Sequence, residues 1–399
     1  MKALLITGGR VVDPSNSLDA LCDLRLRDGV VAEVGPNLQT DGEETIDATG
    51  AIVAPGFIDM HVHLREPGFP EKETLATGTE AAVRGGFTAV ACMPNTNPTL
   101  DSPDVLTALM DEVERRARCR VYPIAAITRG RLGKSSCDYP ALADAGAVAF
   151  SDDGDTVRDA AVLRESALRA REVQGPFISH CEPEDEIVAR DLEIAAETAK
   201  SWHIAHVSTA RALGLVMQAR ERGTRVTCEV TPHHLNFTPA LAAGLGAAAR
   251  VNPPLRDAHD VEALRQAVRD GLVDAFASDH APHTAQEKSG ERGFVAPGFS
   301  GLEIAVGAYA AAVPGLPLTR FVALLSTNPA RILGLRGGTL AAGAPADVTI
   351  FADRQWTVDP RSFASKGHCT PFAGHRLPRK VLATIVGGQV RYRAPESMA

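Results

Sequence analysis

His61 and His63 stand at the end of an apolar run, in Asp59-Met60-His61-Val62-His63-Leu64-Arg65. On a strand, alternate side chains share a face, so the two imidazoles project one way and Met60, Val62 and Leu64 the other. Two imidazoles on one face at the end of a buried strand form a natural half of a zinc site. A lone His-x-His is more often two histidines with unrelated hydrogen bonds, so the rest of the chain has to decide. It supplies further polar groups in equivalent places. Asn95 follows an apolar run in Met93-Pro94-Asn95-Thr96, Asp152 and Asp153 do so in Ser151-Asp152-Asp153-Gly154, and His180 does so in Ser179-His180-Cys181-Glu182. His206 opens His206-Val207-Ser208, and Asp279 lies in Ser278-Asp279-His280-Ala281-Pro282-His283. Four histidines with two carboxylates are too many ligands for one tetrahedral zinc; they suit two metals sharing a carboxylate and a hydroxide. Which of Asp152 and Asp153 is shared stays open, because side-chain parity does not hold in a loop.

The elements that must position these groups are short and regular. Apolar runs end at Ile58, or span Phe87–Met93, Val121–Ile127, Ala147–Phe150, Pro176–Ser179, His203–Val207, Val226–Val230 and Ala275–Ser278. Helix-like stretches separate most of them: Glu73–Arg84, Pro103–Arg118, Ala160–Val173, Ala210–Arg222 and Asp260–Asp270. Eight such units predict an α/β fold, a (β/α)8 TIM-like barrel, with chemistry at the C-terminal ends of its strands. No Gly-x-Gly-x-x-Gly follows the first strand, which argues against a dinucleotide fold. Both ends of the chain have another texture. Leu4–Thr7 and Arg10–Asp13 read as β segments separated by Gly8-Gly9, Asp28-Gly29 as a hairpin turn, and Ala346–Phe351, Val381–Val386 and Gln389–Tyr392 as partner strands. The expectation is a small β-sandwich domain built from 1–54 plus 336–399, around a catalytic barrel at 55–335.

Composition excludes several classes. With 399 residues, 45% hydrophobic, the chain can bury a large core. A net charge of −8 argues against nucleic acid as a partner. Seven scattered cysteines with no CxxC pair read as free thiols in a reducing compartment. No apolar run suits a signal peptide or a membrane span, so a soluble cytoplasmic protein is expected. His233 and His234 are assigned structural or supporting roles, and His203 is expected to be packed. His259, His368 and His375 receive no role, Cys181 is read as a core residue, and Glu182–Glu186 as a solvated helix start.

Taken together, the stretches PGFIDMHVHLREPG, GGFTAVACMPNTNP, FSDDG, ISHCE, IAHVST, EVTPHHL, VNPPLR, SDHAPHT, NPARILGL and GGTLAAGAPADVTIF resemble the metal-dependent amidohydrolases, and within them the bacterial class I dihydroorotases. The resemblance runs over essentially the whole chain. It implies reversible cyclisation of N-carbamoyl-L-aspartate to L-dihydroorotate in de novo pyrimidine biosynthesis, with a metal-bound hydroxide as nucleophile and Asp279 as general acid and base. It implies Zn2+, one or two per chain, with His61, His63 and Asp279 on one ion, His180 and His206 on the other, and Asp153 bridging. Arg65, Asn95 and His283 would hold the substrate carboxylate, with His63, Asn252, Pro297 and Gly298 around the ring. Two features depart from the family pattern. Only 25 residues, Cys181 to Ala205, separate the two second-ion histidines, so the usual loop after His180 is missing, and the loop near the eighth strand reads Phe294-Val295-Ala296-Pro297-Gly298-Phe299. An open mouth and weak turnover by the isolated chain follow, with Thr284–Ser300 or a partner as cover. The partners expected are a second copy of the chain, in a homo-oligomer, and aspartate carbamoyltransferase. Competing readings are a hydantoinase, dihydropyrimidinase or allantoinase, or a weakly active scaffold subunit for that transferase.

Overall fold

The structure, a computed structural model, describes residues 3–291 and 293–395. The residues at 1–2 and 396–399, counted above with the small domain, and Arg292, counted with the possible cover, lie outside the described residues.

The N-terminal segment forms β1 (Leu4–Asp13), β2 (Leu18–Arg27), β3 (Val30–Gly35), β4 (Glu44–Asp47) and β5 (Ile52–Pro55). Leu4–Thr7 and Arg10–Asp13 are a single strand with a bulge, not two segments around a turn. Register against β2 slips between Ile6 and Gly9, Gly8 takes φ 71°, and a Cβ on Gly9 would lie 2.6 Å from Val53 Cγ2. Close approach of β5 therefore demands the glycine here. Asp28-Gly29 does reverse the chain, with φ of 53° and 77°, the two-residue hairpin geometry.

Eight parallel strands follow: β6 (Phe57–Val62), β7 (Phe87–Cys92), β8 (Arg120–Ala125), β9 (Ala149–Ser151), β10 (Phe177–Ser179), β11 (Trp202–Ile204), β12 (Val226–Val230) and β13 (Ala275–Phe276). Each pairs with the next in sequence, β6 through β13. The two ends meet just beyond β13: Val62 bridges His280 in parallel, and His63 N donates to His280 O at 2.8 Å. This is a (β/α)8 TIM-like barrel. The helices between strands start on residues that cap them, Thr74, Asp159, Thr209 and Asp257, whose side chains accept first-turn N–H groups. Their inner faces pack on the strands. Tyr139, Phe150, Phe177 and Trp202 make a run of edge-on and tilted ring contacts through this layer.

After the barrel come β14 (Val348–Ala352), β15 (Trp356–Thr357), β16 (Arg376–Leu377), β17 (Lys380–Val386) and β18 (Gln389–Arg393). The terminal strands join in one sheet, ordered β18-β17-β14-β5-β1-β2-β3, with β4 also on β1. β5, the strand just before the barrel, pairs parallel with β1 and antiparallel with β14. Leu4, Ile6, Val11, Leu24, Val53, Val348, Ile350 and Ile385 form the buried core of this sheet, separate from that of the barrel. No helix among the described residues is long and apolar enough to cross a membrane.

Candidate metal centre and substrate pocket

Asp153, just past β9, lies at the focus of the strand ends. Its Oδ1 is 3.4 Å from His61 Nε2, 3.5 Å from His180 Nδ1 and 3.8 Å from His206 Nε2; its Oδ2 is 3.5 Å from His63 Nε2. Asp279 Oδ1 completes the group, 3.3 Å from His63 Nε2 and 3.6 Å from His61 Nε2. His61, His63, Asp153, His180, His206 and Asp279 are all buried. His206 and Asp279 lie in the left-handed region, at φ 34° and 50°, as does Arg65 at 63°. Such backbone is unfavourable for residues with a side chain and persists where the surroundings impose it. The neighbour Asp152 points elsewhere: it accepts from Ile127 N at 2.8 Å and Thr128 N at 3.0 Å, and from the Thr128 hydroxyl. It is a loop anchor, and Asp153 alone of the pair faces the cluster.

The donor set fits a divalent cation. His61 Nδ1 donates to Glu229 Oε1 at 2.7 Å, which leaves Nε2 as a bare lone pair. That lone pair faces Asp153 Oδ1, and neither buried atom has a hydrogen-bond partner. Two unpaired acceptors held together out of water require a positive charge between them. His63 repeats the pattern, with Nδ1 2.9 Å from Asn95 Oδ1 and Nε2 turned to the carboxylates. Burial pushes the pKa of His61 down, but Asp153 and Glu229 outweigh it and raise it well above the ordinary value: with no cation present they draw a second proton to Nε2, the place a metal ion would take. Burial likewise opposes ionisation of Asp153 and Asp279, yet the surrounding histidines keep both carboxyls below their usual range. A third grouping, Asp257, His259 and Asp260, is mostly exposed, and there Asp257 simply caps a helix.

Beside the cluster lies a cationic pocket. Arg65 is 8% exposed; its Nε donates to Pro282 O at 3.2 Å and its Nη2 lies 3.3 Å from His283 Nε2. Burial lowers its pKa only to about 10, so it stays charged. Asn252 Nδ2 is 3.1 Å from His180 Nε2. The backbone of Pro297 and Gly298 is already engaged: Pro297 O is 2.9 Å from His283 Nε2, Gly298 N donates to Arg250 O at 2.9 Å, and Gly298 O accepts from Lys288 Nζ at 2.7 Å. What these two residues offer a ring is mainly a surface.

A model of the amidohydrolase family matches residues 52–391. The chain belongs to the amidohydrolase family. Within it, a dihydroorotase from Pelotomaculum thermopropionicum is 45% identical over 418 positions, covering 97% of this chain and 98% of the relative. A dihydroorotase from Syntrophus aciditrophicus is 39% identical over 422 positions, covering 98% and 99%. These similarities place this amidohydrolase in the dihydroorotase branch. Both alignments are longer than the 399 residues here, so the relatives carry residues without counterparts in this chain. L-Hydantoinase from Arthrobacter aurescens superposes with a TM-score of 0.89 over 98% of this chain and 96% of its own, at 24% identity, which shows the fold alone.

Several residues of this amidohydrolase that shape the site were not singled out by sequence. Glu229 on β12 is fully buried between His61 and His203, 3.2 Å from His203 Nε2; a glutamate inside the apolar run Val226–Val230 was the available signal. Glu73 is buried outside its helix, which starts at Leu75, and lies 3.3 Å from His280 Nε2. The acidic stretch 182–186 is not uniformly solvated. Glu184 is 5% exposed and accepts from Ser208 N at 2.8 Å and Thr209 N at 3.1 Å, with Arg256 Nη2 at 3.2 Å. With only His180–Pro183 between β10 and the helix Glu184–Thr198, this carboxylate ties the short loop to the one after β11. His203 is packed as expected, bonded to Thr227 Oγ1 at 2.8 Å. His234 is also structural, between Thr231 Oγ1 and Pro253 O. His233 is buried with neither ring nitrogen paired. Cys181 is a core residue, and all seven cysteines are free.

Proposed function

We propose that this chain catalyses the reversible cyclisation of N-carbamoyl-L-aspartate to L-dihydroorotate, with zinc as its metal. The observation that carries the reading is a buried arginine, Arg65, in contact with the half-buried His283 next to the histidine–carboxylate cluster. A planar guanidinium grips a carboxylate in two places, and a ring without one has no use for it. His61, His63 and Asp279 would hold one ion and His180 and His206 the other, with Asp153 between. Bound there, the metals supply a water acidic enough to attack at neutral pH and polarise the ring carbonyl.

The side chains do the rest. Arg65, Asn95 and His283 fix the substrate carboxylate, with His63, Asn252 and the Pro297-Gly298 surface around the ring. Asp279 is held ionised, so it can accept the proton of the attacking water. It returns that proton to the leaving ring nitrogen; in the synthetic direction the transfers reverse. Arg65→Met should raise KM for dihydroorotate about ten- to hundredfold, the cost of a lost charge-assisted pair. A loss of the same size on dihydrouracil, which lacks the carboxylate, would leave a hydantoinase-type activity as the better reading.

A scaffold role is disfavoured by the presence of all six candidate ligands in one cluster. The short His180–Pro183 connection supports a supplementary reading, that the mouth is completed by another subunit in the cytoplasm, in a homo-oligomer or with aspartate carbamoyltransferase. Assaying the zinc-loaded chain with and without that enzyme tests it; full activity alone, with no response, overturns it.

A further inference from the structure

Arg65 and His283 belong to loops far apart in sequence, one after β6 and one after β13, yet their tips lie 3.3 Å apart. A closed ring of contacts joins the two loops. Phe69 N donates to Arg65 O at 2.9 Å, Lys72 N donates to Phe69 O at 3.0 Å, and the Lys72 ammonium sits 5.1 Å from the centre of the Phe69 ring. Lys72 Nζ then crosses to the other loop, 2.7 Å from Glu287 Oε1. Glu287 Oε2 is 3.3 Å from His283 Nδ1 and is fixed by Thr284 N at 3.1 Å and Thr284 Oγ1 at 3.2 Å. His283 Nε2 returns to Arg65 Nη2.

The imidazole stands between the two chains of contacts. Its Nε2 is 2.9 Å from Pro297 O, nearer than Glu287 Oε2 at Nδ1 or Arg65 Nη2 at Nε2, each at 3.3 Å. The ring is therefore held in place from both loops, next to the guanidinium. The charged groups facing His283 are Arg65 and Lys72 from the loop after β6 and Glu287 from its own; burial and Arg65 keep the ring neutral.

We propose that Lys72 and Glu287 are positioning residues for substrate specificity. Their ion pair latches the two loops, so that Arg65 and His283 are held side by side for the substrate carboxylate. The inference rests on the carboxylate pocket proposed above. Lys288, next to Glu287, serves the same wall of the site: it is 6% exposed and donates to Ala296 O at 2.9 Å and Gly298 O at 2.7 Å.

The test uses the full chain loaded with zinc, comparing the native protein with Glu287→Gln, Lys72→Met and Lys72→Arg. KM for dihydroorotate should rise about tenfold in Glu287→Gln and Lys72→Met, with a smaller fall in kcat, and stay near native in Lys72→Arg, which keeps the ion pair. Hydrogen exchange of the backbone amides in 66–73 and 283–290 should speed up in Glu287→Gln and Lys72→Met and stay native in Lys72→Arg. An unchanged KM in Glu287→Gln, or unchanged exchange in both loops, overturns the latch. If the native chain does not turn over dihydroorotate, the proposed reaction fails, and the exchange measurement still decides the latch. Should Glu287→Gln not fold, Lys72→Met carries both readouts.

Discussion

His61 Nδ1 and Glu229 Oε1 stand 2.7 Å apart, both out of contact with water, and the proton between them fixes which ring nitrogen His61 presents to the site. A carboxylate behind a ligating histidine orients the ring and raises its basicity. His61 borders both groups of potential ligands, so Glu229 supports the whole cluster from β12. Glu229→Gln should therefore weaken metal retention about 10–100-fold, the usual cost of losing such a support. Competition against a chelator measures this; native retention would reduce Glu229 to a packing role.

Asp152 and Asp153 are adjacent, equally buried, and predicted to fail in different ways. Asp153→Asn should lose metal while melting close to the native temperature once both are compared without metal. Asp152→Asn should retain metal but lose about 1–3 kcal/mol of stability by weakening its hydrogen bonds with Ile127 N and with Thr128. Metal content and denaturant unfolding on both variants separate the cases. If both variants shed metal equally, the division of labour drawn here is wrong.

Removing the proton carrier should leave a folded, nearly inert protein. Asp279→Asn is expected to cut turnover about 10²–10⁴-fold, the range typical of a lost general base. Its metal content has to be measured in parallel, because the same oxygen lies 3.3 Å from His63 Nε2. Near-native turnover with normal metal would make Asp279 structural.

Glu303 predicts a pH dependence of stability. Burial raises its carboxyl to about 7, although Ala364 N and Ser365 N both donate to it. An unfolded glutamate ionises near pH ~4.3. Between those values the folded state binds a proton that the unfolded state has released, so stability falls as pH rises from about 4 to 7. Glu303→Gln keeps an acceptor and removes that slope. Relative to the native chain it should gain stability between pH 5 and pH 8 in denaturant unfolding; an equal difference at both values would refute the assignment.

Much of this protein was legible in its sequence because the signals are local. Strand and helix periods and the Asp28-Gly29 turn are set by backbone sterics within a few residues, and eight such units in succession leave little choice but a barrel. A barrel delivers every strand end to one mouth, so His61, His63, His180, His206 and Asp279 could be gathered from their positions alone. Contacts between distant segments were decided only by the tertiary structure. Gly8-Gly9 looked like a turn because nothing nearby shows that β5 will lie against it. Asp152 and Asp153 are chemically identical, and only the placement of Thr128 on one side and four imidazoles on the other tells them apart. In sequence Glu184 is one charge in an acidic stretch and Glu229 a lone glutamate in an apolar run, and neither shows its partner. Each becomes a buried tie because its partners, Ser208 and His61, lie 24 and 168 residues away and are brought to it by folding. The same holds for Lys72 and Glu287, which lie on opposite sides of the barrel sequence and meet because its first and last strands are neighbours in space.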